Sequence, residues 1–239
     1  MVRPAVSPHL DVRRAADRPV TRAPGLVTAH AFSFGRHYDP DDVGHGVLLA
    51  HNDDRLAPGA GYDAHPHRDL EIVTWVLSGT LRHEDDAGGR AAVGPGSVQV
   101  LSAGAGVVHS ERNAGPGPLH LVQAWVTPDV RDRPVRYLAR AVDPPSGALV
   151  PVASGRGHDG ALPLGSRTAV LHVARLRPGQ RVRLPEAPLL HLALPLGSAD
   201  LDGVGPLGPG DAVRVTGGGG QLLTAVTGLE ALVWELHPA

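Results

Sequence analysis

The 239-residue chain contains no cysteine. Disulfides, thiolate ligands and iron–sulfur chemistry are therefore excluded. Lysine is also absent, and isoleucine and asparagine are scarce beside Ala, Gly, Arg, Pro and Val. This bias reads partly as GC-rich coding, so not all of it is structural. Charge of one sign is lacking too. The 22 basic and 24 acidic residues leave a formal net charge of −2, which attracts neither nucleic acid nor an anionic membrane. The N-terminus has no apolar leader, and no apolar run is long enough to span a bilayer. The expectation is a soluble cytoplasmic protein.

Turn chemistry is abundant. The 31 glycines and 23 prolines fit many short strands joined by tight turns, not long helices. Strand-like runs are expected at Leu26–Phe34, Gly46–His51, Leu70–Leu77, Thr80–Glu84, Ser97–Leu101, Val107–Glu111 and Leu119–Val126. They continue at Thr168–Leu176, Leu189–Leu194, Ala212–Val215, Leu222–Val226 and Ala231–Leu236. Gly, Pro and Asp clusters separate them, the pattern of an all-β sandwich or barrel. Thr127–Gly165 reads as a connector with some extended structure.

The halves resemble each other. Arg55-Leu56-Ala57-Pro58-Gly59 recurs as Arg175-Leu176-Arg177-Pro178-Gly179, and Gly94-Pro95-Gly96 recurs as Gly208-Pro209-Gly210, at offsets of 120 and 114. Two matches in order predict the duplication of one barrel. The first would cover residues 1–135, and the second, with the connector, residues 136–239. Each half is long enough to bury a core.

Metal-binding chemistry is concentrated in the first half. His65-Pro66-His67 and His109-Ser110-Glu111 are each pairs at i, i+2, and residues two apart on a strand share one face. Two short strands would aim both pairs into one space. Three imidazoles and a carboxylate make a mixed N/O site that suits Fe, Ni, Cu, Mn, Co or Zn. Glu71 shares strand parity with His65 and His67 and is the competing carboxylate. Carrying the offsets forward places Pro185 and Ala187 at the positions of His65 and His67. Leu223 and Ala225, or Thr224 and Val226, fall at those of His109 and Glu111, so no metal is expected in the second barrel. Other polar residues read more plainly. Arg68-Asp69 is a solvated pair at the rim, and His83-Glu84-Asp85-Asp86 is a charged hairpin turning at Gly88-Gly89, with a second metal there as the lesser alternative. His120, alternating with Val122 and Ala124, is placed to reach the lumen. His30, His37, His45 and His51 read as surface or loop residues, and His191 as structural.

With the glycines included, the two segments become G-x5-H-x-H-x3-E-x7-G from Gly59 to Gly79 and G-x-G-x2-H-x-E-x-N from Gly104 to Asn113. They are similar to the two motifs of the cupin superfamily. The longer runs HPHRDLEIVTWVLSGTLRHEDDAGG and GPGSVQVLSAGAGVVHSERN resemble the pirin family of bicupins, in its bacterial branch. The match is dense from about Phe32 to Pro128 and thin beyond. The resemblance implies a monomer of two jelly-roll barrels with one metal, Fe(II) foremost, held by His65, His67, His109 and Glu111. Glu71 would then orient a ligand imidazole or bond a neighbouring backbone. Some bacterial members are quercetin 2,3-dioxygenases, which implies a flavonol-like planar enol and O2 as substrates. Glu111 would accept the substrate's proton as general base. Val73, Trp75, Leu77, Val107 and Trp125 are candidates to pack on the planar substrate. The alternative the family offers is a metal-binding regulatory module that interacts with a protein partner without turnover.

Overall fold

A computed structural model describes residues 8–238. Residues 1–7 and 239, the outer ends of the two expected domains, lie outside it. The regular secondary structure of the described residues is strand throughout, apart from one 3-10 turn at Ala15–Asp17. Among these residues, no helix is long and apolar enough to cross a membrane.

The chain forms two compact units. The first consists of Arg18–Asp143 and Val152–Ala169. The second consists of Pro144–Pro151, Val170–Ala239 and the N-terminal segment up to Asp17. The division is therefore not a single cut near residue 135. The N-terminal strand His9–Arg13 pairs antiparallel with Ala212–Thr216, so it is an edge strand of the second unit. The expected connector is more ordered than its composition suggests. It carries the strands Arg136–Ala141, Leu149–Ser154 and Leu162–Pro163.

In the first unit, a large sheet runs in the order Arg136–Ala141, Ser97–Ser102, Glu71–Ser78, Leu119–Val126, Leu48–Leu56, Leu26–His30, Val20–Ala23. A small sheet runs Gly61–His67, Val107–Asn113, Leu81–Asp85, Arg90–Val93. The two make one jelly-roll barrel. Leu56, Val76, Leu81, Val93, Leu119 and Leu121 pack together as one buried apolar cluster. A second apolar group, Ile72, Leu101, Ala103 and Val107, lines the wall elsewhere.

The second unit repeats the plan. Within a seven-stranded sheet its strands run His9–Arg13, Ala212–Thr216, Leu189–Leu196, Leu229–Leu236, Ala169–Leu176, and its small sheet runs Arg181–Arg183, Leu222–Ala225, Ala199–Leu201, Gly205–Leu207. The registers identify equivalent residues. Glu111 lies across from Tyr62 and His83, and Leu223 lies across from Val182 and Leu201. Leu223 therefore takes the place of Glu111, two residues short of the offset of 114. Leu223, Val182 and Leu201 belong to one buried apolar cluster, so the second barrel fills with hydrocarbon the space that is polar in the first.

Candidate metal centre

The strand Gly61–His67 is the edge of the small sheet, where Pro66 interrupts no central ladder. Its partner Val107–Asn113 sets Val107 opposite His67 and His109 opposite His65, then shifts register before Glu111. The ring centroids of His65 and His109 are 4.5 Å apart, those of His65 and His67 4.7 Å, and those of His67 and His109 5.0 Å. One nitrogen from each lies within 4.8 Å of the others. An ion with bonds of about 2.1 Å needs donors roughly 3–4 Å apart, so modest ring rotation closes the trio.

The trio is also chemically prepared for an ion. His65 Nδ1 donates to the Asp63 carbonyl at 2.7 Å, which leaves Nε2 with its lone pair. His67 Nε2 and both ring nitrogens of His109 are buried without a hydrogen-bond partner. Burial pulls His67 down to about 4, with His65 adding to the effect. Burial pulls His109 to the same value against the opposing pull of Glu111. Both rings are neutral at pH 7. Orphaned buried nitrogens are costly, and a bound cation is the partner that removes the cost. The residues present fit a divalent transition metal.

Glu111 is buried, and its surroundings define it. Oε1 accepts a hydrogen bond from Gln99 Nε2 at 2.5 Å, and Oε2 accepts one from Gln123 Nε2 at 2.7 Å. The Tyr137 hydroxyl donates to Gln99 Oε1 at 2.9 Å, and the Trp125 indole N–H reaches Gln123 Oε1 at 3.4 Å. With both amide oxygens assigned in this way, both amide NH2 groups must face the carboxylate. Gln99, Thr74 and Gln123 stand side by side on neighbouring strands, and the row continues through Asn52 to His30. Burial alone would raise the Glu111 carboxyl. Contacts with His83, His109 and Gln123 outweigh it and hold the group below its ordinary value. Glu111 groups with His109 and His83, whereas the outer trio is His65, His67 and His109.

Several sequence expectations are corrected here. Glu71 does not share the histidines' face, because the chain turns between His67 and Glu71, with Asp69 at φ 51°, and Glu71 opens a strand of the other sheet. Its Oε2 accepts from Ser102 Oγ at 2.8 Å, and the Gly165 backbone also bonds it. It orients no imidazole of the trio. His120 lies on the face opposite Gln123 and Trp125, and its Nε2 pairs with Asp53 Oδ1 at 2.9 Å. Val73, Trp75 and Leu77 have the parity opposite to Thr74, whose hydroxyl touches the Gln99 and Gln123 amides, so they point away from the site. Of the proposed packing residues, Val107 lines the lumen, and Trp125 stands edge-on to His67 at 5.0 Å with Phe34 against it at 5.0 Å. His30 and His51 are buried in strands, not at the surface. His30 bonds Asn52 and Thr21 and stacks on Phe34.

The hairpin reading most understates His83. It is fully buried, stacks on Tyr137 and bonds Asp85, within the hairpin that turns at Gly88 and Gly89. His83 and Asp85 are themselves an i, i+2 pair on a strand, the same signal that marked the other two pairs. Gln99 and Gln123 carried no such signal, since neutral amides do not announce a site.

Comparison with known proteins agrees with this architecture. A family model described as Pirin matches residues 12–126. A Mycobacterium tuberculosis protein provisionally named a quercetin 2,3-dioxygenase is 50% identical over 95% of each chain. The Escherichia coli quercetin 2,3-dioxygenase is 37% identical over 72% of this chain and 74% of its own. The crystal structure of the E. coli bacterial pirin YhhW in complex with nickel(II) superposes with a TM-score of 0.89 at 29% identity, covering 97% of this chain and 100% of that one. A barrel with three converging imidazoles beside a buried glutamate, repeated as an apolar copy, and a relative half-identical over nearly the full length lead to one conclusion: the chain belongs to the pirin family.

Proposed function

We propose that His65, His67, His109 and Glu111 hold one divalent transition metal, and that the loaded protein is a dioxygenase that cleaves quercetin or a similar flavonol with O2. The observation that carries this reading is the convergence of three neutral or tautomer-fixed imidazoles whose free nitrogens have no other partner. The relatives named for this activity support the substrate class. When bound, the metal would supply a Lewis-acidic and redox-capable centre for an enolate and O2.

The chain's own residues do the rest. His65 is oriented by the Asp63 carbonyl. Glu111 stays ionised under two amide donors and can accept the proton of the substrate's enolic hydroxyl. Trp125, braced by Phe34, offers an aromatic wall beside His67. The candidate ions are Fe(II), which the sequence resemblance implies, and Ni(II), the ion in the E. coli pirin complex.

The test is aerobic incubation of metal-replete protein with quercetin, using Fe, Ni, Cu, Mn and Co in turn. Loss of flavonol absorbance with matching O2 uptake and carbon monoxide release is expected, and chelation or His65→Ala/His109→Ala should stop it. Absence of all three signals with every metal would replace this reading with that of a regulatory metal-binding module.

A further inference from the structure

Beside the three histidines lies a second group of donors. His83, His109 and Glu111 are all buried, and one donor atom of each lies within 4.8 Å of the others. The His83 ring stacks on Tyr137 at 4.1 Å with the planes 7° apart. Its Nε2 bonds Asp85 Oδ2 at 3.0 Å, and the Gly89 N–H fixes Asp85 Oδ1 at 2.8 Å. A carboxylate behind an imidazole in this way is the arrangement that orients metal-binding histidines. The other nitrogen, Nδ1, is buried without a hydrogen-bond partner. It stands 3.8 Å from Glu111 Oε1, beyond hydrogen-bond reach. His109 has two partnerless nitrogens, and the outer trio can use only one of them.

We propose that His83, His109 and Glu111 form a second, inner seat for a divalent transition metal, sharing His109 with the outer trio. Two imidazoles and a carboxylate suit the same N/O-seeking ions as the outer site. An imidazole bridging two ions would have to lose its last proton, so the chain holds one ion at a time, in one seat or the other. The ring of Tyr137 and the bond to Asp85 keep His83 in place when the seat is vacant. The inference rests on the reading of the outer site only through His109 and Glu111.

The test is calorimetric titration of the full-length chain with Cu(II), combined with electron paramagnetic resonance to count coordinated imidazoles. In His65→Ala/His67→Ala the outer trio is reduced to one ring. The inner seat predicts that this variant still binds one equivalent, with two imidazoles coordinated. Adding His83→Phe, which keeps a ring against Tyr137, should weaken binding by a further 10–100-fold, roughly the loss expected for a metal-supporting residue. If that triple variant lacks the native circular dichroism spectrum, His83→Gln replaces it with the same expected loss. No specific equivalent in the double variant, or binding there indifferent to His83, overturns the inner seat. The outer reading has its own arm: wild-type affinity unchanged by His65→Ala/His67→Ala would overturn that reading instead.

Discussion

Glu111 is a buried anion whose neighbours decide what it can do. Two amides hold it, each turned by a further donor, and no arginine reaches it among the described bonds. Glu111→Gln removes the charge and sets its NH2 against one of the two amide NH2 groups, so it should weaken metal binding by at least tenfold, in the range of a lost supporting group, and abolish turnover. Glu71→Gln should leave metal affinity and rate within a factor of about two, because Glu71 answers to Ser102 and Gly165, and should cost about 1 kcal/mol of stability for one altered hydrogen bond. Metal titration, rate measurement and urea unfolding of the two variants decide the ranking. The reverse order would make Glu71 the metal-binding carboxylate.

The site depends on how closely the edge strand approaches its neighbour. Gly61 is paired with Arg112, and a Cβ there would stand 2.1 Å from the Glu111 carbonyl oxygen and 2.6 Å from Arg112 Cα. Both obstacles are backbone, so Gly61→Ala must push the strand bearing His65 and His67 off the strand bearing His109. Overpacking of this kind costs about 1–3 kcal/mol. The expected result is a lower urea midpoint together with weaker metal binding, and an unchanged affinity would show that the trio tolerates displacement of its edge. Period-2 reading made His65, His67 and His109 legible because each pair lies within one uninterrupted strand. It failed at Glu71 because a turn at Asp69 breaks the count. The repeat offset mis-set the partner of Glu111 in the second barrel because 13 residues separate Gly210 from Leu223 where 15 separate Gly96 from Glu111. His83 was legible by the same spacing but hidden by the acidic residues around it. Gln99 and Gln123 become visible only when strands are laid side by side.

At the scale of the whole molecule, two buried groups of the first unit oppose each other in acid. Burial, then the charge of Arg18, pushes His51 down to about 3, and burial raises Asp54 to about 7. The contribution of His51 is complete above its unfolded value near 6.5 and is lost as pH falls from there toward 3. That of Asp54 is complete below its unfolded value near 3.8 and is lost as pH rises through 7. Asp54→Asn removes only the second. Its urea midpoint relative to wild type should therefore rise steadily between pH 4 and pH 8, by an amount on the order of a few kcal/mol in stability. A difference that does not vary with pH would mean that Asp54 is ionised in the folded state throughout. The duplicated plan was legible in two Pro-Gly turns at nearly equal offsets. The crossing of the N-terminal segment to the second unit was not, because strand pairing across some two hundred residues leaves no local pattern.

That crossing bears on how the chain is made. His9–Arg13 is synthesised some two hundred residues before its partner Ala212–Thr216. Everything the first barrel needs, through Ala169, is available earlier. The His9–Arg13 strand must therefore wait unpaired while the whole first barrel is made. Until it docks, the Ala212–Thr216 edge is an open template for any passing strand. A strand made early thus closes a sheet whose other strands are made late, so the interval vulnerable to misassembly opens only once Ala212–Thr216 has been made.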